Sequence, residues 1–159
     1  MRLAYWIALA ALVAAYMVYA AVTVDRRSDE VRIRALIQDA AAAVEKRDLS
    51  RAMGAVSRDY RDESGLNYDR LRALAAQALR EDAGYRVAAS ISSVSIEGES
   101  ASVQMHATVR SAASEFPIYD SDLTLLLRKE PTLHARMLPT RVWRVVSIGN
   151  LGLDASDRL

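Results

Sequence analysis

Cysteine is absent from the chain, and histidine occurs only twice. No disulfide and no thiolate metal site is therefore open to it. His134 has no carboxylate or second histidine at ligand spacing, so no metal is expected. Glycine is scarce at six residues and proline at three, and neither a glycine-rich phosphate loop nor a nucleophile elbow occurs, so no cofactor is expected either. Charge of one sign is also lacking, the formal net charge being +1. A binder of nucleic-acid backbones needs a basic stripe, whereas here arginines alternate with acids, as in Arg58-Asp59, Arg61-Asp62 and Asp69-Arg70. These read as solvated faces, and no nucleic-acid partner is implied.

What the chain does have is a long apolar run at its start. Leu3 to Val24 contains no charged residue. At 1.5 Å of rise per residue it would make a helix of about 33 Å, enough for a hydrocarbon core of about 30 Å. Tyr5 and Trp6 near one end and Tyr16 and Tyr19 toward the other suit the headgroup level. The run predicts a single-pass membrane anchor. A cleaved signal is the competing reading, with Val18-Tyr19-Ala20 as a cleavage site, but the run exceeds a signal's usual apolar length. Arg26, Arg27, Arg32 and Arg34, counted strictly, favour a cytoplasmic domain, while the layout of a signal anchor favours an external, periplasmic one. The expected division is a transmembrane anchor over 1–24, a linker over 25–30, one folded domain over 31–151 and a flexible tail over 152–159.

Within the domain the hydrophobic period is helical first and two later. Val31, Ile33, Leu36, Ile37, Ala40, Ala41 and Val44 predict a helix over about Asp29 to Arg47. Asp48 caps a shorter one carrying Leu49, Met53 and Val56, and Ser57 to Gly65 reads as a short strand and turn. Asn67 caps a third helix with Leu71, Leu74, Ala75, Ala78 and Leu79 inward and Gly84 as its stop. From Tyr85 the alternation marks strands. Val87, Ala89 and Ile91 share one phase and Val94 and Ile96 the other, which a β-bulge near Ser92-Ser93 reconciles. Glu97-Gly98-Glu99 turns the chain into a strand with Ala101, Val103, Met105, Ala107 and Val109 on one face. Ser111 to Ser121 and Glu130 to Thr140 read as loops, with strands at Leu123 to Leu127 and Arg141 to Ile148.

Helix, helix, short strand, helix and then four long antiparallel strands with a bulge in the first is an order that resembles the NTF2-like (cystatin-like α+β) superfamily. The segment Ser57 to Gly65 is similar to the stretch between second and third helices in small bacterial members, and Trp143-Arg144-Val145-Val146-Ser147-Ile148 resembles the superfamily's closing strand. The resemblance implies a cone of three helices packed on a curved antiparallel sheet; with the N-terminal transmembrane helix read from the apolar run, the expected fold class is α+β, an anchored cone held in a bacterial inner membrane. It also implies a homodimer through the sheet face, and admits isomerases, dehydratases, ligand-binding domains and membrane-complex assembly factors alike.

Three sites are candidates. The outward residues Gln104, His106, Thr108 and Arg110 form an interface for a protein partner or a second copy, giving a non-catalytic, membrane-anchored interaction module. Met105, Leu125, Trp143 and Tyr119 line a pocket for a small apolar ligand, unless their bulk fills the cone. Asp62 with Tyr60, and Asp59 beside them, supply a base and a hydrogen-bond donor for an isomerase-type enzyme, although Asp62 also suits the turn that follows and Tyr60 the core.

Overall fold

The computed structural model describes residues 12–16, 28–80, 84–111, 113, 116–134 and 138–150. Two compact units divide the chain, one of Met1–Arg27 with Glu130–Val142 and one of Ser28–Lys129 with Trp143–Leu159. The second carries the core and the candidate sites.

Among the described residues, a helical stretch at 12–16 is followed by α1 (Asp29–Glu45), α2 (Leu49–Gly54) and α3 (Tyr68–Ala78) and then by the strands β1 (Tyr85–Glu97), β2 (Ser100–Ser111), β3 (Pro117–His134) and β4 (Leu138–Gly149). The strands form one sheet in sequence order. The expected N-terminal transmembrane helix, and with it the single-pass inner-membrane location, is corrected. Among the described residues no helix is long and apolar enough to cross a membrane. Crossing takes about 20 apolar residues. α1 has 17 and carries Asp29, Glu30, Arg32 and Arg34. Of the run Leu3 to Val24, residues 12–16 are described as helical and the rest lies outside the described residues, as does the tail after Asn150.

The helix boundaries follow local chemistry. Asp29 and Glu30 occupy the first turn of α1, where acids complement the helix dipole. Its far end closes through Arg47 at φ 57, and Asp48 then caps α2 by accepting from Arg51 N. Asn67 caps α3 in the same way through Arg70 N. Between α2 and α3 the chain lies against β4: Val145 N donates to Ala55 O, Ser57 N to Val145 O and Arg61 N to Val146 O. That segment makes single bridges at Val56 and Arg61, not the short strand expected for Ser57 to Gly65. α3 ends at Ala78, before Gly84, and Leu74 is exposed where it was expected inward, because Tyr68, Leu71 and Ala75 follow one stripe and Leu74 falls on its flank.

β1 and β2 pair from Tyr85↔Ser111 to Glu97↔Ser100, with the register slipping between Ile91 and Ser93. Ser92 is the extra residue, so Ile91 and Val94 both reach the packed side, where they join the core's edge. Gly98 turns the hairpin at φ 61, a conformation that glycine adopts without a Cβ clash. β3 and β4 run further than the alternation suggested: β3 takes in Pro117–Tyr119 at its start and Pro131 near its close, and β4 takes in Pro139 near its start. The ladder with β2 ends at Ser100↔Arg128, so beyond it Pro131 forfeits no bond to that neighbour, and the fixed φ of proline suits extended backbone.

The core is one cluster. Ile33 and Ile37 of α1, Met53 of α2, Tyr60 and Tyr68 meet Val103, Met105, Leu125, Leu127 and Trp143 of the sheet. The opposite phase of β2, with Gln104, His106 and Arg110, is exposed.

Candidate functional site

Part of the interior is not filled. Between the helices and the packed side of the sheet lies a cavity of about 320 Å³. Every side chain lining it is aliphatic or methionine. Seven of the lining positions are alanines, among them Ala40 and Ala41 of α1, Ala75 of α3, Ala89 of β1 and Ala107 of β2. Leucine at such positions would close the space. All four strands contribute, from Val87 and Ala89 through Met105 and Leu125 to Val145 and Ile148. Met53, Ala55, Ala107 and Val145 in its lining are buried, whereas Ala40, Val44, Leu71, Ala75 and Val87 are part-exposed, as are Leu123 and Ile148, so the space is open to solvent, in part among α1, α3 and β1. α1 packs closely on α2 and β1, and α3 approaches α2.

The expected pocket set divides. Met105 and Leu125 line the cavity, but Trp143 and Tyr119 do not. Trp143 is buried with its indole Nε1 donating to Asp29 Oδ1 at 3.1 Å, and Lys129 Nζ holds Asp29 Oδ2 at 2.6 Å while lying 5.1 Å from the Trp143 ring centre. The Lys129 ammonium and the indole N–H keep the Asp29 carboxyl below its usual range, against a smaller opposing effect of burial.

The candidate catalytic carboxylates stand apart from the cavity. Tyr60 is 1% exposed, and its Oη donates to Asp62 Oδ2 at 3.1 Å. Asp62 Oδ1 accepts from Ser64 Oγ at 2.7 Å and from Leu66 N at 2.9 Å. Burial, reinforced by the adjacent Asp62 charge, pushes the Tyr60 phenol above its usual range. A base at Asp62 would have to surrender bonds that shape the turn into α3. Asp59 bonds Arg128 at 2.9 Å. None of the three lines the cavity.

No family model and no curated protein matches the sequence. Solved structures do match the fold. A domain of unknown function with a cystatin-like fold from Nostoc punctiforme superposes with a TM-score of 0.60 at 15% identity, over 78% of this chain and 76% of its own. An NTF2-like protein of unknown function from Shewanella oneidensis gives 0.60 at 13% identity, over 76% and 97%. The fold is NTF2-like. An NTF2-like protein with a cystatin-like fold from Novosphingobium aromaticivorans agrees, with a TM-score of 0.56 at 19% identity over 76% and 79% of the two chains. At these identities the likeness speaks for the fold alone.

On the outer face of the NTF2-like sheet, three of the four expected interface residues bond to neighbours on the same face. His106 Nδ1 meets Asp122 Oδ1 at 2.8 Å and Nε2 meets Asp120 Oδ1 at 2.6 Å. Thr108 Oγ1 donates to Asp120 Oδ1 at 3.2 Å, and Gln104 Oε1 accepts from Ser93 Oγ at 3.4 Å. A carboxylate at each ring nitrogen favours the protonated imidazole, and Asp122 first, then Asp120, raises its pKa above the ordinary value. His134 lies in β3. Among the described residues no group of His, Asp and Glu is placed to hold a metal ion. The residues that sequence reasoning missed are the alanines of the cavity, whose one signal was small side chains recurring on inward phases of both helices and strands.

Proposed function

We propose that the domain binds a small apolar molecule in the cavity beneath α1 and α3, without chemistry on it. The observation that carries this reading is an open space of about 320 Å³ walled by aliphatic side chains, within the range typical of small-molecule sites. No titratable side chain lines it, so the lining offers containment and desolvation in place of acid, base or nucleophile. Binding of a polarity-sensitive dye built on a single conjugated polyene chain tests it. Saturable binding that is lost on Ala75→Phe and kept on His106→Ala supports the reading. Equal binding to wild type and Ala75→Phe sinks it.

A second reading, self-association or docking of a protein through Gln104, His106, Thr108 and Arg110, is favoured by the exposure of that face. It is the weaker one, because much of the face's hydrogen-bonding capacity is used laterally. Sedimentation of wild type against Arg110→Glu separates the two readings: a change in mass with unchanged dye binding would favour the sheet face.

A further inference from the structure

We infer that the cavity takes a single unbranched alkyl chain and recognises it by length, leaving its polar end outside; this rests on the binding reading above. The first ground is chemical. A polar group placed inside would meet no donor or acceptor side chain and would forfeit its hydration. Only hydrocarbon is matched by the lining, so any head group stays at the opening among α1, α3 and β1.

The second ground is shape. The lining crosses all four strands, from Val87 on β1 to Ile148 on β4. Strands lie about 4.8 Å apart, so the space runs roughly 14 Å across the sheet. A volume of about 320 Å³ spread over that length leaves a mean cross-section on the order of 20 Å², close to 5 Å on a side. Carbon atoms in contact sit about 4 Å apart, so this admits one chain and is narrow for stacked or fused rings. Capacity agrees with length. A cavity of about 150 Å³ holds the six carbons of benzene, so this one holds about a dozen.

The test is a homologous series of primary alcohols from hexanol to hexadecanol, read by displacement of the same dye from the full chain. Affinity is expected to rise about fourfold per methylene, the gain from burying one CH₂, and to stop rising near ten to twelve carbons. Dodecanol, dodecylamine and dodecanoate are expected to bind alike. Ile148→Phe, which shortens the β4 end, is expected to move the break to shorter chains; Val145→Leu makes a smaller change at the same end and serves where the first variant does not fold. Dye binding with no dependence on chain length, an order set by head group, or tighter binding of bicyclic hydrocarbons than of chains overturns the inference and leaves the binding reading standing. Failure of both dye and alcohols to bind overturns the two together.

Discussion

The start of α1 and the rest of it meet the same sheet with different results. The start, Asp29 to Ile33, sets Ile33, 0% exposed, into the cluster that holds Val103, Leu127 and Trp143, with Asp29 tied to Lys129 and the indole. From Leu36 onward the helix presents Leu36, Ile37, Ala40, Ala41 and Val44 to the cavity. Backbone and amphipathic phase are continuous between them. Inward side chains shrink from isoleucine to alanine along the helix, so one element closes a core at its start and walls a container beyond it.

The comparison breaks most visibly under truncation. Leu127→Ala, at 1% exposure, is expected to cost about 2–5 kcal/mol in denaturant unfolding, and Val44→Ala at the cavity wall about 1 kcal/mol or less, because its side chain already faces open space. Equal costs would mean that the two regions are packed alike. Next in size is Asp29→Ala, which leaves Lys129 and the Trp143 indole without their acceptor and is expected to cost about 1–2 kcal/mol. Since the folded Asp29 pKa is lowered, its contribution is present above the unfolded carboxylate pKa and is lost as pH falls through the folded value. Unfolding curves at stepped acid pH should therefore converge for wild type and Asp29→Ala.

Filling the open region acts in the other direction. Ala41→Leu is expected to leave stability unchanged or raise it by up to about 1 kcal/mol while abolishing dye binding. The same alanine-to-leucine change at Ala101, which is 5% exposed and does not line the cavity, should destabilise by about 1–3 kcal/mol through overpacking. The smallest effect belongs to the outer face. The raised His106 pKa means that its contribution is complete below the unfolded histidine pKa and is lost as pH rises through the folded value. Asp122→Asn is expected to move the His106 midpoint down in an NMR titration, with little change in melting temperature because the pair is exposed.

Much of the fold was legible because periodicity reports which side of an element faces inward. The caps at Asp48 and Asn67, the bulge at Ser92 and the exposed phase of His106 all follow from residue type and spacing. Periodicity does not report how far apart two inward faces stand. Ala107 and Val103 share a phase on β2, yet one faces the cavity and the other is fully packed, and only the three-dimensional arrangement of α1 and α3 decides which. Trp143 was expected in the pocket for its inward phase, but its indole N–H finds Asp29, outside the cavity lining. Pro131 and Pro139 read as loop limits, and the strands include both, since the fixed φ of proline suits extended backbone. The apolar run at the start was read from its length, its lack of charge and its aromatic ends, and of it only residues 12–16 are among the described residues.

The central claim is that α1 walls a binding space from Leu36 onward and a filled core at Ile33. Methyl-labelled NMR with added dodecanol tests it most directly. The account predicts saturable shifts at Leu36, Val44, Leu71 and Ile148, with Ile33 and Leu127 unmoved. Shifts confined to the exposed Ile118 and Leu126 of β3, or shifts at Ile33 as large as those at Leu36 and Val44, would contradict it.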